Sequence, residues 1–324
     1  MKAASLRLAV VALAFATGSA LAQSFPTKGI TMMVPFAAGG PTDTVARVLG
    51  QAMGKPLGQT VIVENRPSAG GILAPEQVKN AKPDGYTILI HHIGMATSPT
   101  LYRQLRFNPL TDFEYIGLIN EVPMTIVAKP QMAAKDMREF LDYLKKNKDK
   151  ANYANAGIGA ASHLCGMLFM SAIQLDVQTI PYKGTGPAMN DLIGGQVDFM
   201  CDQTTNTTSH IKSGKVKVYA VTSPKRVASL PDVPTLAETG VKGAEVSIWH
   251  ALYAPKGTPK AALDKLVSSM QEALKDETVR KRFSDLGADT YPVDKQTPQA
   301  LQAHLKAEID KWAPLIKKAG QYAD

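Results

Sequence analysis

Apolar residues recur along this chain in two rhythms, and the rhythms alternate. Ile30-Thr31-Met32-Met33-Val34-Pro35-Phe36 is a nearly unbroken apolar run, the pattern of a strand covered on both faces. Val45, Val48, Leu49 and Met53 then fall on one face of a helix. The same pairing continues, predicting strands over 29–36, 60–65 and 86–92 with helices over 42–54 and 71–80 between them. The stretch from Tyr115 to Ala128 is apolar but too interrupted for one helix, and reads as an extended passage from one lobe into another. A second unit follows, with helix 135–147, strand 151–156, helix 161–173, strand 177–182, helix 185–193 and strands 196–201 and 215–222. Val246 to Pro255 reads as a return crossing, and helices over 259–275, 278–286 and 297–318 complete the chain. Repeated strand–helix alternation is the signature of an α/β protein with mainly parallel sheets. Two crossings divide it into two lobes around a cleft, one of residues 23–122 plus 250–324, the other of residues 123–249.

The first residues obey neither rhythm. Lys2 and Arg7 open a basic start, Leu8 to Ala16 is wholly apolar, and Ala20-Leu21-Ala22 is a small-residue cleavage signal. Residues 1–22 are therefore expected to be a signal peptide, cut after Ala22; the apolar run falls well short of the ~20 residues that span a membrane. No cysteine follows the cut, which argues against a lipid anchor, so the mature protein is expected to be exported and soluble. Without that segment the net charge falls from +8 to +6, with 34 basic against 28 acidic residues spread along the chain. A moderate, dispersed positive charge suits small anions. Aromatic residues make up 6% of the chain and form no stacking platform, and no basic arm is present, so a nucleic-acid partner is not expected. Cys165 and Cys201 are an even pair in an oxidising compartment, compatible with a disulfide or with two buried thiols, and neither has metal-type spacing.

Candidate chemistry sits where strands run into helices. Phe36-Ala37-Ala38-Gly39-Gly40-Pro41-Thr42-Asp43 joins the first strand to its helix, with proline at the helix start and an acid in the first turn. Such a junction presents unpaired N–H groups and the positive end of a helix dipole, which together attract an anion. Three more junctions repeat the pattern: Arg66-Pro67-Ser68-Ala69-Gly70-Gly71, Asn155-Ala156-Gly157-Ile158-Gly159-Ala160-Ala161-Ser162-His163, and Tyr182-Lys183-Gly184-Thr185-Gly186-Pro187. Four of them, shared between two lobes, point to a ligand cleft at the strand ends. A dinucleotide reading of residues 157–162 fails because the third glycine is Ser162. His91 and His92 are strand neighbours expected on opposite faces, with His92 placed at the cleft. His163 reads as a structural neighbour of a helix start, and Asp202, at a strand end, as an acceptor for a ligand or for the adjacent loop. No nucleophile, base and orienting residue come together, so neither an enzyme nor a bound cofactor or metal is expected.

These junctions carry a family resemblance. With Val63-Glu64-Asn65-Arg66-Pro67, Pro83-Asp84-Gly85-Tyr86-Thr87, Gly194-Gly195-Gln196-Val197-Asp198 and Leu230-Pro231-Asp232-Val233-Pro234-Thr235 in order, the mature chain resembles the Bug (TctC-like) family throughout. Its members are extracytoplasmic solute-binding proteins of tripartite tricarboxylate transporters. The resemblance implies a type II periplasmic-binding-protein fold, a monomer whose two α/β lobes close around a small carboxylate for delivery to membrane transporter subunits. It implies that Phe36, Ala38, Gly39, Gly40 and Thr42 hold one carboxylate, partly through water, and that Gly157, Gly159, Ala160 and Ser162 hold another. Thr185 and Asp202 would line that second side. The chain departs from the family's pattern at Ala37-Ala38, at His91-His92 and at Ala160-Ala161, where hydroxyls or a proline are usual. A less hydroxyl-rich pocket leans toward a less polar acid, such as the aromatic dicarboxylate terephthalate. An exported enzyme, or a sensor partner presenting its ligand, on the same bilobed fold is the alternative at this point.

Overall fold

The computed structural model describes residues 25–320 together with 322 and 323, so the expected signal segment lies outside the described residues. Strands β1 (Ile30–Val34), β2 (Val61–Asn65) and β3 (Thr87–His92) are parallel neighbours. Helix α1 (Pro41–Leu57) connects β1 to β2, α2 (Leu73–Lys79) leads to β3, and α3 (Gly94–Leu101) follows it. Strand β4 (Phe113–Ala128) is 16 residues long. After it come α4 (Met137–Lys146), β5 (Asn152–Asn155), α5 (Ala161–Ile173), β6 (Gln178–Pro181), α6 (Thr185–Ile193), β7 (Phe199–Gln203), α7 (Thr204–Lys212) and β8 (Lys217–Val221). The chain then returns through β9 (Ser247–Pro255) and ends with α8 (Lys260–Lys275), α9 (Glu277–Asp285), β10 (Asp289–Thr290) and α10 (Pro298–Ala319).

The strands follow the order β2-β1-β3-β9-β4-β7-β5-β6, with β8 and β10 also paired to β4. The long strand β4 belongs to both lobes. Its residues 113–123 pair with β9, whereas Met124 to Ala128 pair with β7 and β8. Where the chain crosses back, Thr222 ties the passages together. Its N–H donates to the Met124 carbonyl at 2.8 Å, its hydroxyl accepts from Met124 N–H at 2.9 Å, and the same hydroxyl donates to Val246 O at 2.6 Å. The fold is the expected α/β, two-lobed type II periplasmic-binding fold.

Strand alternation separates the apolar residues onto two faces. Ile30, Met32, Val34, Ile88 and Ile90 pack beneath α1, α8 and α9 with Leu49, Met53, Leu266 and Phe283. Met33 and Leu89 point the other way, into a core with Val78, Leu101, Leu305 and Trp312 that continues into the second lobe. Full burial of both faces explains why these strands read as continuous apolar runs rather than alternating ones.

Two helices fall in stretches where the apolar rhythm predicts no element. Helix α3 contains Gly94, Thr97, Ser98 and Pro99, and its small residues let it sit buried. Helix α7 begins Thr204-Thr205-Asn206-Thr207-Thr208, all buried. Three of its four threonine hydroxyls are absorbed by partners distant in sequence: Thr204 donates to Gly287 O, Thr208 to Leu286 O, and Thr207 bonds Thr125 at 2.9 Å. The strand expected over 196–201 starts instead at Phe199, because Asp198 turns its backbone and side chain to Asn152 and Lys129. Cys165 and Cys201, left open by the sequence, are joined as a disulfide linking α5 to β7.

Candidate functional site

Four helices begin at one place. The N-termini of α1 and of α5, α6 and α7 converge from the two lobes on a cavity lined by Pro41, Ala161, Thr185 and Gln203, among others. None of the four has a side-chain cap at its start, whereas α4, α9 and α10 are capped by Asp136, Asp276 and Thr297. First-turn N–H groups have no partner within their helix. Each N-terminus carries roughly half a positive charge, so their convergence makes an anion-attracting chamber without a lysine or arginine in its lining.

The first lobe contributes Phe36, Pro41, Thr42 and His92. Asp43 fixes the loop before α1: its carboxylate accepts from Gly39 N–H, Arg47 Nε and Asn65 Nδ2, each at 3.0 Å, and Asn65 also donates to Phe36 O. Burial pushes the Asp43 carboxyl up, but the bonds from Arg47, Gly39 and Asn65 outweigh it and hold the group below its usual range. The Phe36 ring stacks on His92 with centroids 4.9 Å apart. The sequence places His91 and His92 on opposite faces, yet their rings meet edge to face at 4.9 Å. Alternation ends there because the strand stops at His92 and Ile93 turns with φ −43° into α3.

Bonding fixes the histidine protons. His92 Nδ1 accepts from Gly94 N–H at 2.9 Å, which leaves Nε2–H as that ring's donor. His91 Nδ1 accepts from His92 N–H, and its Nε2–H donates to Gly71 O at 3.2 Å. Behind the cavity, His250 Nδ1–H donates to Asn120 Oδ1 at 3.0 Å, so its Nε2 accepts from the Thr42 hydroxyl at 3.3 Å. Burial holds all three rings neutral, pushing His91 down to about 4, His250 down to about 3 and His92 well below its usual value. Among the described residues, no group of His, Cys, Asp or Glu is arranged to hold a metal ion.

The second lobe supplies Ala156, Ala160, Ala161, Ser162, Thr185, Asp202 and Gln203. Ser162 Oγ accepts from Ala156 N–H at 2.9 Å, leaving the hydroxyl proton free to turn to a ligand. The Asp202 carboxylate accepts from Thr185 Oγ at 2.9 Å and from Asn206 Nδ2 at 2.6 Å. Burial raises it to about 6 against those bonds.

Of the residues expected at the ligand, Phe36, Thr42, His92, Ala160, Ser162, Thr185 and Asp202 line the cavity. The glycines do something else: they let the lobes touch. A Cβ on Gly157 would lie 2.6 Å from Gly70 N, one on Gly184 2.9 Å from Ala37 N, and one on Gly186 2.7 Å from Ala38 O. Gly40 backs onto Gly186, and Gly159 faces Leu101 and Tyr102. Ala38 and Gly39 are exposed beside this seam. The N–H groups of Gly39, Gly157 and Gly159 are occupied by Asp43, Asn155 and His163. Hydrogen bonds join the lobes along the seam: Ala37 N–H to Lys183 O (3.0 Å), Gly70 N–H to Ala156 O (2.8 Å), Tyr102 Oη–H to Ile158 O (2.6 Å) and Thr97 Oγ–H to Gly159 O (3.4 Å). Tyr102 and Thr97 carry no signal in the sequence, because nothing local shows that α3 abuts the other lobe.

A family profile described as the tripartite tricarboxylate transporter family receptor, TctC, matches residues 45–321. The chain belongs to that receptor family. Among solved structures, the periplasmic binding protein BugD is 54% identical to this receptor, with a TM-score of 0.90 over 93% of this chain and 100% of that one. MatC from Rhodopseudomonas palustris, solved with bound malate, is 39% identical, with a TM-score of 0.87 over 90% of this chain and 100% of its own. A further R. palustris protein, solved with adipate, is 30% identical, with a TM-score of 0.86 over 91% and 98% of the two chains. The family is one of solute-binding receptors, and the receptor shares its fold along nearly the whole length of these neighbours.

Proposed function

We propose that this receptor, exported with residues 1–22 removed after Ala22, captures a small dicarboxylate as a periplasmic monomer and delivers it unaltered to the membrane subunits of a tripartite transporter. The observation that carries this reading is the convergence of uncapped helix N-termini from both lobes on one buried cavity with no cation in its wall. One carboxylate is taken by the start of α1 beside Phe36, Thr42 and His92, and the other by the start of α5 with Ser162 and Thr185. The malate and adipate of the neighbouring structures are both dicarboxylates, which supports the class. Within it, the stacked Phe36 and His92 rings and the methyl groups of Ala156, Ala160 and Ala161 favour a flat apolar middle, as in terephthalate.

The cavity holds about 20 Å³ of space open to the centre of a water molecule, room for one or two waters, so the lobes have to part to admit the ligand. The lobe of residues 23–122 and 250–324 turns against that of 123–249 where Thr222 ties Met124 to Val246. A thermal-shift panel on residues 23–324 tests the reading, with malate, adipate and terephthalate set against monocarboxylates of matched size. A dicarboxylate at 100 times its Kd adds about 2.7 kcal/mol of stability. Absence of a shift with every dicarboxylate at millimolar concentration, or equal shifts with the monocarboxylates, contradicts it.

A further inference from the structure

The cavity already contains an acid, and no lysine or arginine lines it to balance the charge. Asp202 is 1% exposed at the end of β7, its two carboxylate oxygens held by Thr185 and Asn206. The groups around it are neutral from every side. Helix α6 presents Thr185 and α7 presents Asn206, while β4 presents Thr125, which donates to the Asp202 carbonyl. From β5 comes the Tyr153 phenol, which burial pushes well above its usual range, and α5 brings Ser162, with the His163 ring accepting at Nδ1 from Gly159 N–H. Across the cavity stand His92 and, behind it, His250, both uncharged. Four helix N-termini of about half a charge each offset a dianion but not a dianion together with an ionised aspartate.

We infer that Asp202 takes up one proton from solvent when a dicarboxylate enters, so that its carboxyl group donates a hydrogen bond to the ligand instead of repelling it. The inference rests on the dicarboxylate reading above. Two carboxylates sharing a desolvated site behave in this way, because the second charge is the costly one. In the empty protein burial already raises Asp202 to about 6, so a nearby ligand charge is enough to hold the proton at neutral pH. Binding then tightens about tenfold per unit as pH falls from 8.5 to 6.5, where malate and adipate stay fully ionised, one proton being linked to each ligand bound. The pocket would by this means match its affinity to the acidity outside the cell.

Titration calorimetry of residues 23–324 with L-malate and with adipate at pH 7.5, in buffers of different ionisation enthalpy, measures the proton directly. The expected result is an observed heat that varies with buffer enthalpy with a slope near one proton taken up, and a slope of zero for Asp202→Asn, with its affinity flat from pH 6.5 to 8.5. Binding whose heat is independent of buffer in the wild-type protein overturns the proton uptake and leaves the receptor reading standing. Absence of binding by both acids, in calorimetry and in melting, overturns the dicarboxylate reading itself. If that variant fails to fold, the buffer series on His92→Gln takes its place: a slope still near one proton leaves Asp202 as the group that takes it up, and a slope of zero overturns the assignment.

Discussion

Gly70→Ala is the substitution that separates lobe closure from ligand contact most cleanly. Gly70 does not line the cavity, yet a Cβ there would overlap Tyr102 Oη and the Ile158 carbonyl of the opposite lobe. One obstacle is backbone, so rotating a side chain cannot relieve it. The variant should hold the seam apart and lose the Gly70–Ala156, Tyr102–Ile158 and Ala37–Lys183 bonds. At about 1 kcal/mol for each of these bonds, the closed state is disfavoured by about 3 kcal/mol, which is on the order of 100-fold in ligand affinity. Folding of the first lobe should suffer less, because the positive φ of 72° costs an alanine about 1–2 kcal/mol. Calorimetry with the best dicarboxylate, alongside unliganded melting, reads both effects. Wild-type affinity in a stably folded Gly70→Ala protein would refute the claim that this seam must close for capture.

Ser162→Ala should weaken dicarboxylate binding by about 1–2 kcal/mol in calorimetry and lower the unliganded melting temperature, since the buried Ala156 N–H loses its acceptor; unchanged affinity removes Ser162 from the site. Replacing Cys165 and Cys201 together by alanine should cost about 3–4 kcal/mol in guanidinium unfolding, the loop-closure entropy of a bridge between residues 36 apart, and a loss under 1 kcal/mol would show that packing alone holds α5 to β7. Acid should destabilise the protein steeply. His91, His92 and His250 are held below their ordinary 6.5, so the unfolded chain binds more protons and stability is lost as pH falls from 6.5 toward 4. Asp202, raised from 3.8 to about 6, acts in the opposite sense over the same range, its stability being complete below 3.8 and lost as pH rises through 6. From these four groups the net difference near pH 5 is about two protons, or about 2.7 kcal/mol per pH unit, and a flat unfolding free energy between pH 4 and 6 would contradict it.

Much of this fold was legible because its strands are buried on both faces and its main helices carry apolar stripes. Helices α5 and α6 begin where glycine, proline and small polar residues say they should, α6 also ends at Gly194-Gly195, and β4 and β9 were visible as passages too long and interrupted to be helices. Helices α3 and α7 were not legible. Glycine, serine and threonine dominate their buried positions, beside Met95 and Leu101 in α3, and α7 is held by tertiary bonds: Thr207 bonds Thr125 and Thr204 bonds Gly287 from far along the chain. The glycine-rich junctions were found correctly as places where backbone passes close to something. What lies there, for Gly157, Gly184 and Gly186, is the opposite lobe's backbone, a distinction that no local spacing encodes. The same holds for Tyr102, whose hydroxyl crosses the seam, and for His91 and His92, whose rings meet because the strand ends beneath them.

The central claim is that helix starts from both lobes grip a dicarboxylate between them. A crystal structure of residues 23–324 grown with the dicarboxylate that most raises the melting temperature tests it most directly. The account predicts one carboxylate within ~2.7–3.2 Å of first-turn N–H groups of α5 and the other at the start of α1, with the Tyr102–Ile158 bond closed across the seam. Ligand bound to one lobe alone, or seated outside the cavity between Phe36 and Asp202, would contradict it.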